Sequence, residues 1–414
     1  MITPAEQAVL DRVDEQLLVR ITQNLLRAPG QNPPGEEAAT VSALSAAAIE
    51  LDLDVVATRV EPGRDNLTIT LAGGNGPGLL LLGHTDVVPI GDGWTRDPFG
   101  GELLDGRIYG RGASDMKGGL AAALAALAAL RGVELSGPVE LAALMDEEET
   151  GKGIRAYVEA TRRDATADGG DSGGSGVGGG SGVGGGSWLG CITAEPTDLQ
   201  TIIGARGDSY LRVEIHGKSC HAGNPADGAN AIYGAAAVVA EIERLHAELA
   251  EAPHPLLGAA TWSVGQIQGG TGGSIVPAEC VLVADRRLLP GESPEAVLDD
   301  LKARVAALEL EDRGLSVELE MPMEMPAFLT SADTELVTVT DAALADAGGP
   351  RLPLGGWTAA CDGGFVARDL GVPVVVLGPG SVTDQAHRAD ESVGVDELVV
   401  AARTYALTAL RLLG

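Results

Sequence analysis

The chain predicts an α/β protein of two domains, the smaller inserted into the larger. Three observations carry this. At 414 residues it exceeds what one ordinary core encloses. Short apolar runs bounded by turn residues, DVVATRV, NLTITLA and GLLLLGHTD, alternate with helical stretches, which is the pattern of a mostly parallel, buried sheet. Residues 208–320 depart from that rhythm with the order β-α-β-β-α-β, a split βαβ or ferredoxin-like arrangement. The predicted large domain is therefore 1–207 with 321–414, and the insert is 208–320.

Along the chain, Pro4 to Leu26 has helical periodicity, and a second helix is expected over Glu36 to Leu51. The apolar run Leu120 to Leu130 is too short to span a bilayer and reads as a helix packed on the sheet. Residues 169–187, GGDSGGSGVGGGSGVGGGS, bury too little apolar surface to order themselves and are expected to form a flexible surface insertion. Within the insert come the strand SYLRVEIHG, the helix NAIYGAAAVVAEIERLHAEL, the strands ATWSVGQIQGG and AECVLVADRRLL, a helix capped by Ser293, and the strand LSVELEM. The large domain resumes with a helix near Thr334 to Ala347, a buried strand VPVVVLG and a closing helix Val395 to Leu413.

Composition narrows the function classes. With 45% hydrophobic and 21% charged residues the chain is globular. A net charge of −31 and a pI near 4.4 argue against nucleic acid and anionic membrane surfaces as partners. The cysteines, Cys191, Cys220, Cys280 and Cys361, form no CxxC pair and suit free thiols in a reducing compartment. The acidic, amphipathic start MITPAEQAVLDRVDEQLL is unlike a signal peptide, so a cytoplasmic location is expected.

Candidate metal ligands follow the apolar runs. LLLLGHTD ends in His84 and Asp86; VELAALMDEEE ends in Asp146, Glu147, Glu148 and Glu149; WLGCITAE ends in Glu195; VPVVVLGPG precedes His387. Ligands of open parallel sheets bind beyond the carboxyl ends of the strands, so these groups should converge. Asp115, in GRGASDMKGG, sits where a loop enters the apolar helix and can reach the same crevice. Two histidines and three carboxylates suit a pair of divalent cations, zinc first, with cobalt or manganese as alternatives. Asp86 is expected to hydrogen-bond the far ring nitrogen of His84. Taken singly, His-x-Asp is commonly structural, an acidic run is commonly a solvated loop, and Asp115 could cap a helix. Their joint placement is what argues for a site.

The ordered set HTDVVP, WTRDPFGG, GRGASDMKGG, DEEETGKG and AEPTDLQ resembles the dinuclear zinc amidohydrolases and exopeptidases. That family includes acetylornithine deacetylase, succinyl-diaminopimelate desuccinylase, aminoacylase and glutamate-releasing carboxypeptidases. The resemblance covers nearly the whole chain and implies a catalytic domain with an inserted lid and dimerisation domain. It implies that His84 and Glu195 hold one metal and Glu148 and His387 the other, with Asp115 bridging and Glu147 as general base. Thr150-Gly151-Lys152-Gly153 selects this register in the acidic run, while a shift to Glu148 and Glu149 stays open. GKSCHAGNPADGANAI resembles the lid segment of the family, which would make His221 the oxyanion stabiliser, often from the second subunit of a dimer. Asn230 is expected to cap the lid helix or touch substrate, and Arg287, in VADRRLLPGE, to grip a substrate carboxylate or form a surface ion pair. His216, His246 and His254 have no motif support.

Ser274 and Ile275 in GGTGGSIVPAE, and Gly364 in CDGGFVA, depart from common family patterns on the substrate side. The expected protein is a homodimeric metallohydrolase of N-acyl amino acids or, alternatively, a metallo-exopeptidase of short peptides. Hinges are expected near Ala205–Asp208 and Met321–Pro326. A catalytically silent, metal-stabilised binding protein is the rival from another class, and a usable base at Glu147 counts against it.

Overall fold

A computed structural model describes residues 2–167 and 187–414. The expected flexible insertion, 169–187, lies outside the described residues apart from Ser187. The chain divides into two compact units, Met1–Gly204 with Leu329–Gly355 and Cys361–Gly414, and Ala205–Phe328 with Gly356–Ala360.

The first stretch holds α1 (Pro4–Leu10), α2 (Glu15–Leu26), α3 (Ala38–Glu50), β1 (Asp54–Glu61), β2 (Arg64–Leu71), β3 (Gly78–His84), β4 (Glu102–Leu104), β5 (Arg107–Tyr109), α4 (Gly118–Leu130), β6 (Val139–Leu144), α5 (Lys152–Ala167), β7 (Trp188–Thr193) and β8 (Ile202–Ala205). Next come β9 (Gly207–His216), β10 (Cys220–His221), α6 (Ala231–Ala250), β11 (Thr261–Gly269), β12 (Ile275–Val276), β13 (Glu279–Leu288), α7 (Pro294–Ala306) and β14 (Ser316–Met325). The chain closes with β15 (Phe328–Leu329), α8 (Glu335–Asp346), β16 (Gly355–Trp357), α9 (Gly363–Leu370), β17 (Val374–Val376), β18 (Ser392–Gly394) and α10 (Val395–Leu413).

The helix expected over Pro4 to Leu26 is two helices. Asp14 breaks it, because its carboxylate accepts the backbone N–H groups of Gln16 and Leu17 and starts α2 afresh. The large sheet runs β1-β2-β6-β3-β7-β17-β8-β15, with β16 on β8. It is a mixed sheet. The four central strands β6, β3, β7 and β17 are mutually parallel. β1 and β2 are antiparallel because only Pro62 and Gly63 join them, too short a link for a crossover. β3 and β6 are buried at every position, which is why β3 reads as an unbroken apolar run and β6 as an apolar run interrupted by Glu140 alone.

The apolar stretch Ala113–Leu130 is long and apolar enough to cross a membrane, but it is 89% buried inside the fold and forms a core helix. Gly119 on α4 lets that helix approach the strand end after β7, since a Cβ there would lie 2.1 Å from the Ala194 carbonyl oxygen.

In the second unit β11-β13-β9-β14 form an antiparallel sheet, with α6 and α7 supplying the β-α-β-β-α-β order expected of it. Leu211, Val213 and Ile215 of β9 face a core shared with Val238, Ile242 and Leu301. Alternation along β9 sends Tyr210, Arg212 and Glu214 to the other face.

Candidate metal centre

Because β6, β3, β7 and β17 run parallel and adjacent, their carboxyl ends lie along one sheet edge. His84 ends β3, Glu147 and Glu148 follow β6, Glu195 follows β7, and His387 lies in the loop after β17. Asp115 precedes α4 with extended backbone angles, φ −119° and ψ 97°.

These six side chains meet. Asp115 Oδ1 lies 3.2 Å from His84 Nε2, and Asp115 Oδ2 lies 3.3 Å from His387 Nε2. Glu195 Oε1 is 3.7 Å and Glu147 Oε2 is 4.0 Å from His84 Nε2, while Glu148 Oε2 is 3.1 Å from His387 Nε2. The two histidines thus face different oxygens of Asp115, and His84, Asp115 and Glu148 offer ligand atoms within 4.8 Å of one another. Glu149 is exposed.

The tautomer of His84 is set differently from the expectation. Its Nδ1 lies 3.0 Å from the backbone carbonyl oxygen of Asp86, whereas the Asp86 carboxylate is 3.5 Å away. A carbonyl only accepts, so Nδ1 carries the proton and, in the neutral ring, Nε2 turns its lone pair toward Asp115 and Glu195. The fully buried Asp86 carboxylate is used elsewhere. Oδ1 accepts the Glu147 N–H at 3.2 Å, and Oδ2 accepts the Glu148 N–H at 3.1 Å and the Asn32 side-chain amide at 3.0 Å. Asn32 also donates to Asp146 Oδ1, which Arg64 Nη2 holds at 2.9 Å while pairing with Glu37. Asn32, Arg64 and Glu37 carry no motif spacing that points to the site, so sequence reasoning missed them.

The electrostatics of the cluster follow from burying several carboxyl groups beside two imidazoles. Burial, reinforced by Glu195, Asp362 and Glu148 and opposed by His84, pushes Glu147 well above the usual carboxylate range. Burial does the same to Glu195, with Asp115 and Glu148 adding to it and His84 opposing. Asp115 goes the other way. Burial would raise it, but hydrogen bonds to His387 and His84 hold it well below its ordinary value. Glu148 Oε1 is buried without a hydrogen-bond partner among the described residues, and so are both oxygens of Asp362. A buried group of carboxylates with an orphaned oxygen and an imidazole nitrogen on each side fits cations. Mixed imidazole and carboxylate donors suit zinc or manganese.

Three sequence candidates lie in the second unit. His221 is exposed on β10 and its Nδ1 accepts the Gly223 N–H at 3.0 Å. The Asn230 side chain accepts from Ile232 and Tyr233 and caps α6. Arg287 is engaged within its own chain, with Nε 3.1 Å from Asp285 Oδ1, Nη2 2.9 Å from Asp285 Oδ2 and Nη2 3.3 Å from Asp208.

The profile described as peptidase family M20/M25/M40 matches residues 80–411. An acetylornithine deacetylase of Aliivibrio fischeri is 30% identical over 351 residues, which is 83% of this chain and 83% of that protein. Among solved structures, an M20 family metallo-carboxypeptidase from Sulfolobus solfataricus superposes with a TM-score of 0.75 at 19% identity, over 95% of this chain and 99% of that one. A dinuclear metal-binding M20 peptidase from Bacillus subtilis gives 0.70 at 16% identity, over 96% and 98%. The chain is a metallohydrolase of amide or peptide bonds and belongs to peptidase family M20/M25/M40.

Proposed function

We propose that the protein is a deacylase of small N-acyl amino acids, of the acetylornithine deacetylase or succinyl-diaminopimelate desuccinylase type, working with two divalent cations. The observation that carries this is Asp115, whose two oxygens face His84 and His387 separately, with Glu147 beside His84. In this reading His84 and Glu195 would hold one cation, His387 and Glu148 would hold the other, and Asp115 would serve both. Zinc is the first choice for both.

Bound there, the cations would polarise the amide carbonyl and lower the pKa of the attacking water. The protein's own groups do the rest. Glu147 takes the water proton on a carboxylate oxygen and returns it to the departing nitrogen. Asp86 keeps Glu147 and Glu148 in place through their backbone N–H groups. His221 receives the role of stabilising the tetrahedral oxyanion from its lid-motif resemblance. Arg287 and Asn230 are proposed for substrate recognition on the same ground. A homodimer and a cytoplasmic location complete the proposal; light scattering and cell fractionation test them.

The peptidase description of the family favours a second reading, a metallo-exopeptidase of dipeptides or acyl-glutamates. One experiment separates the two. Chelator-stripped protein is assayed on N-acyl amino acids and dipeptides, with and without zinc, cobalt or manganese, beside Glu147→Gln. Metal-restored turnover that is lost in the variant and highest on N-acyl amino acids supports the deacylase. Preference for dipeptides replaces it with the exopeptidase. Metal binding without turnover points to the silent binding protein.

A further inference from the structure

The loops that carry His84, Asp115 and His387 are joined by a buried ion pair that none of the site roles uses. Arg111 Nη1 donates to Glu391 Oε2 at 2.6 Å, and the two side chains are 2% and 0% exposed. The other Glu391 oxygen, Oε1, accepts the backbone N–H of Ser114 at 2.9 Å and that of Asp115 itself at 3.0 Å. Arg111 reaches the remaining two segments. Its Nη2 donates to the carbonyl of Ile90 at 3.2 Å, four residues beyond Asp86, and its Nη1 to the carbonyl of Arg388 at 3.3 Å, next to His387. The antiparallel pairing of β5 with β18 brings Arg111 and Glu391 out side by side, and Gly110 N–H adds a bond to the Glu391 carbonyl.

We propose that Glu391, clamped by Arg111, is the positioning residue that sets Asp115 as the bridge between His84 and His387. This rests on the two-cation reading above. The physical argument is one of leverage. A bridging carboxylate must present one oxygen to each cation at once, so a rotation of its backbone spoils both contacts together. Free loop backbone at Asp115 would rotate. Two N–H bonds to one carboxylate oxygen, on consecutive residues, remove that freedom, and the Arg111 guanidinium on the other oxygen favours the charged, stronger acceptor. The opposite oxygen is held by a guanidinium that also grips the loops of the other ligands, so the three segments move as one body. Neighbours of metal ligands typically act this way, and losing one weakens metal binding roughly 10–100-fold.

The test uses the full chain loaded with cobalt. Wild type, Glu391→Gln and Glu391→Asp are titrated with Co2+ by calorimetry, and the spin coupling of the two ions is read by EPR. Glu140→Gln serves as a control for simple core damage: Glu140 is buried against Tyr157 at the opposite end of β6, away from the ligands. The expected result is that Glu391→Gln binds its weaker cobalt ion roughly 10–100-fold less tightly and loses the coupled signal. Glu391→Asp retains part of both, and Glu140→Gln retains both. Two tightly bound, normally coupled cobalt ions in the Glu391 variants overturn the proposal, as does equal loss in Glu140→Gln. If Glu391→Gln does not fold, Glu391→Asp decides by the same criteria. Wild type that binds fewer than two coupled ions overturns the two-cation reading first, and the clamp with it.

Discussion

The carboxylate of Asp86 accepts the backbone N–H of Glu148 at 3.1 Å, so the residue two places after one candidate ligand holds the loop of another. The strand end of β3 and the acidic loop after β6 are thus one construction. Asp86→Ala is expected to free that loop and to lower metal affinity roughly 10–100-fold, as losing a partner of metal ligands typically does. Competition against a fluorescent chelator measures it. Unchanged affinity would show that the loop is held by Asn32 and Arg64 alone.

Glu147 and Glu148 differ in what their loss should do. Glu147→Gln keeps size and removes the base, so kcat should fall by about 10²–10⁴ or more while bound metal stays at the wild-type level. Glu148→Gln should lose metal. Turnover and metal content measured on the same preparations separate the roles, and metal loss in the Glu147 variant with full activity per bound metal would exchange them.

His387 gives a pH signature in chelator-treated protein. Hydrogen bonds to Asp115 and Glu148, against partial burial, push its pKa up to about 10. An unfolded histidine titrates near 6.5 (about that value in model peptides), so the folded state holds the extra proton between these values. Its stabilising contribution is therefore complete below about pH 6.5 and is lost as pH rises through about 10. The ring resonance that disappears in His387→Gln should titrate near pH 10 without metal and not at all with zinc bound. A midpoint near 6.5 without metal would contradict the Asp115 and Glu148 contacts.

Gly119 is the point where α4 touches the strand end that leads to Glu195. In Gly119→Ala the new methyl would meet the Ala194 carbonyl oxygen at 2.1 Å, so helix or strand must shift. Overpacking of this kind costs about 1–3 kcal/mol. Urea unfolding should show that loss, and the folded fraction should bind less zinc because Glu195 follows Ala194 directly. Wild-type stability would mean that α4 slides at no cost.

Several features were open to reading along the chain because the physics behind them is local or periodic. β3 and β6 are buried on both faces, so they read as apolar runs, broken only by Glu140 in β6. The insert alternates along its strands, as in β9, because only one face of its sheet is covered. The placement of His84, Glu147, Glu148, Glu195 and Asp115 at or near element ends followed from those runs. His387 lies further from its strand, in the loop that follows the run VPVVVLGPG.

Other features depend on partners far away in sequence. Sheet direction at β1 and β2 came from the length of the link between them rather than from their apolar pattern. Asp86 carries its carboxylate to the backbone of the acidic loop as well as within 3.5 Å of the His84 ring, a choice made by which N–H groups the folded sheet edge presents. In the acidic run only the following Thr150-Gly151-Lys152-Gly153 marks a register, and it leaves a one-residue shift open. Packing of the loop turns Glu147 and Glu148 inward and leaves Glu149 in solvent. Arg111 and Glu391 are 280 residues apart and look like ordinary surface charges until β5 and β18 pair. Sequence by itself determined which elements form and which residue types reach the sheet edge, because periodicity and strand ends are properties of adjacent residues. Only the tertiary structure decided which donor meets which acceptor there, because hydrogen bonds and ion pairs are selected by angstrom-scale proximity between segments that the chain separates by hundreds of residues.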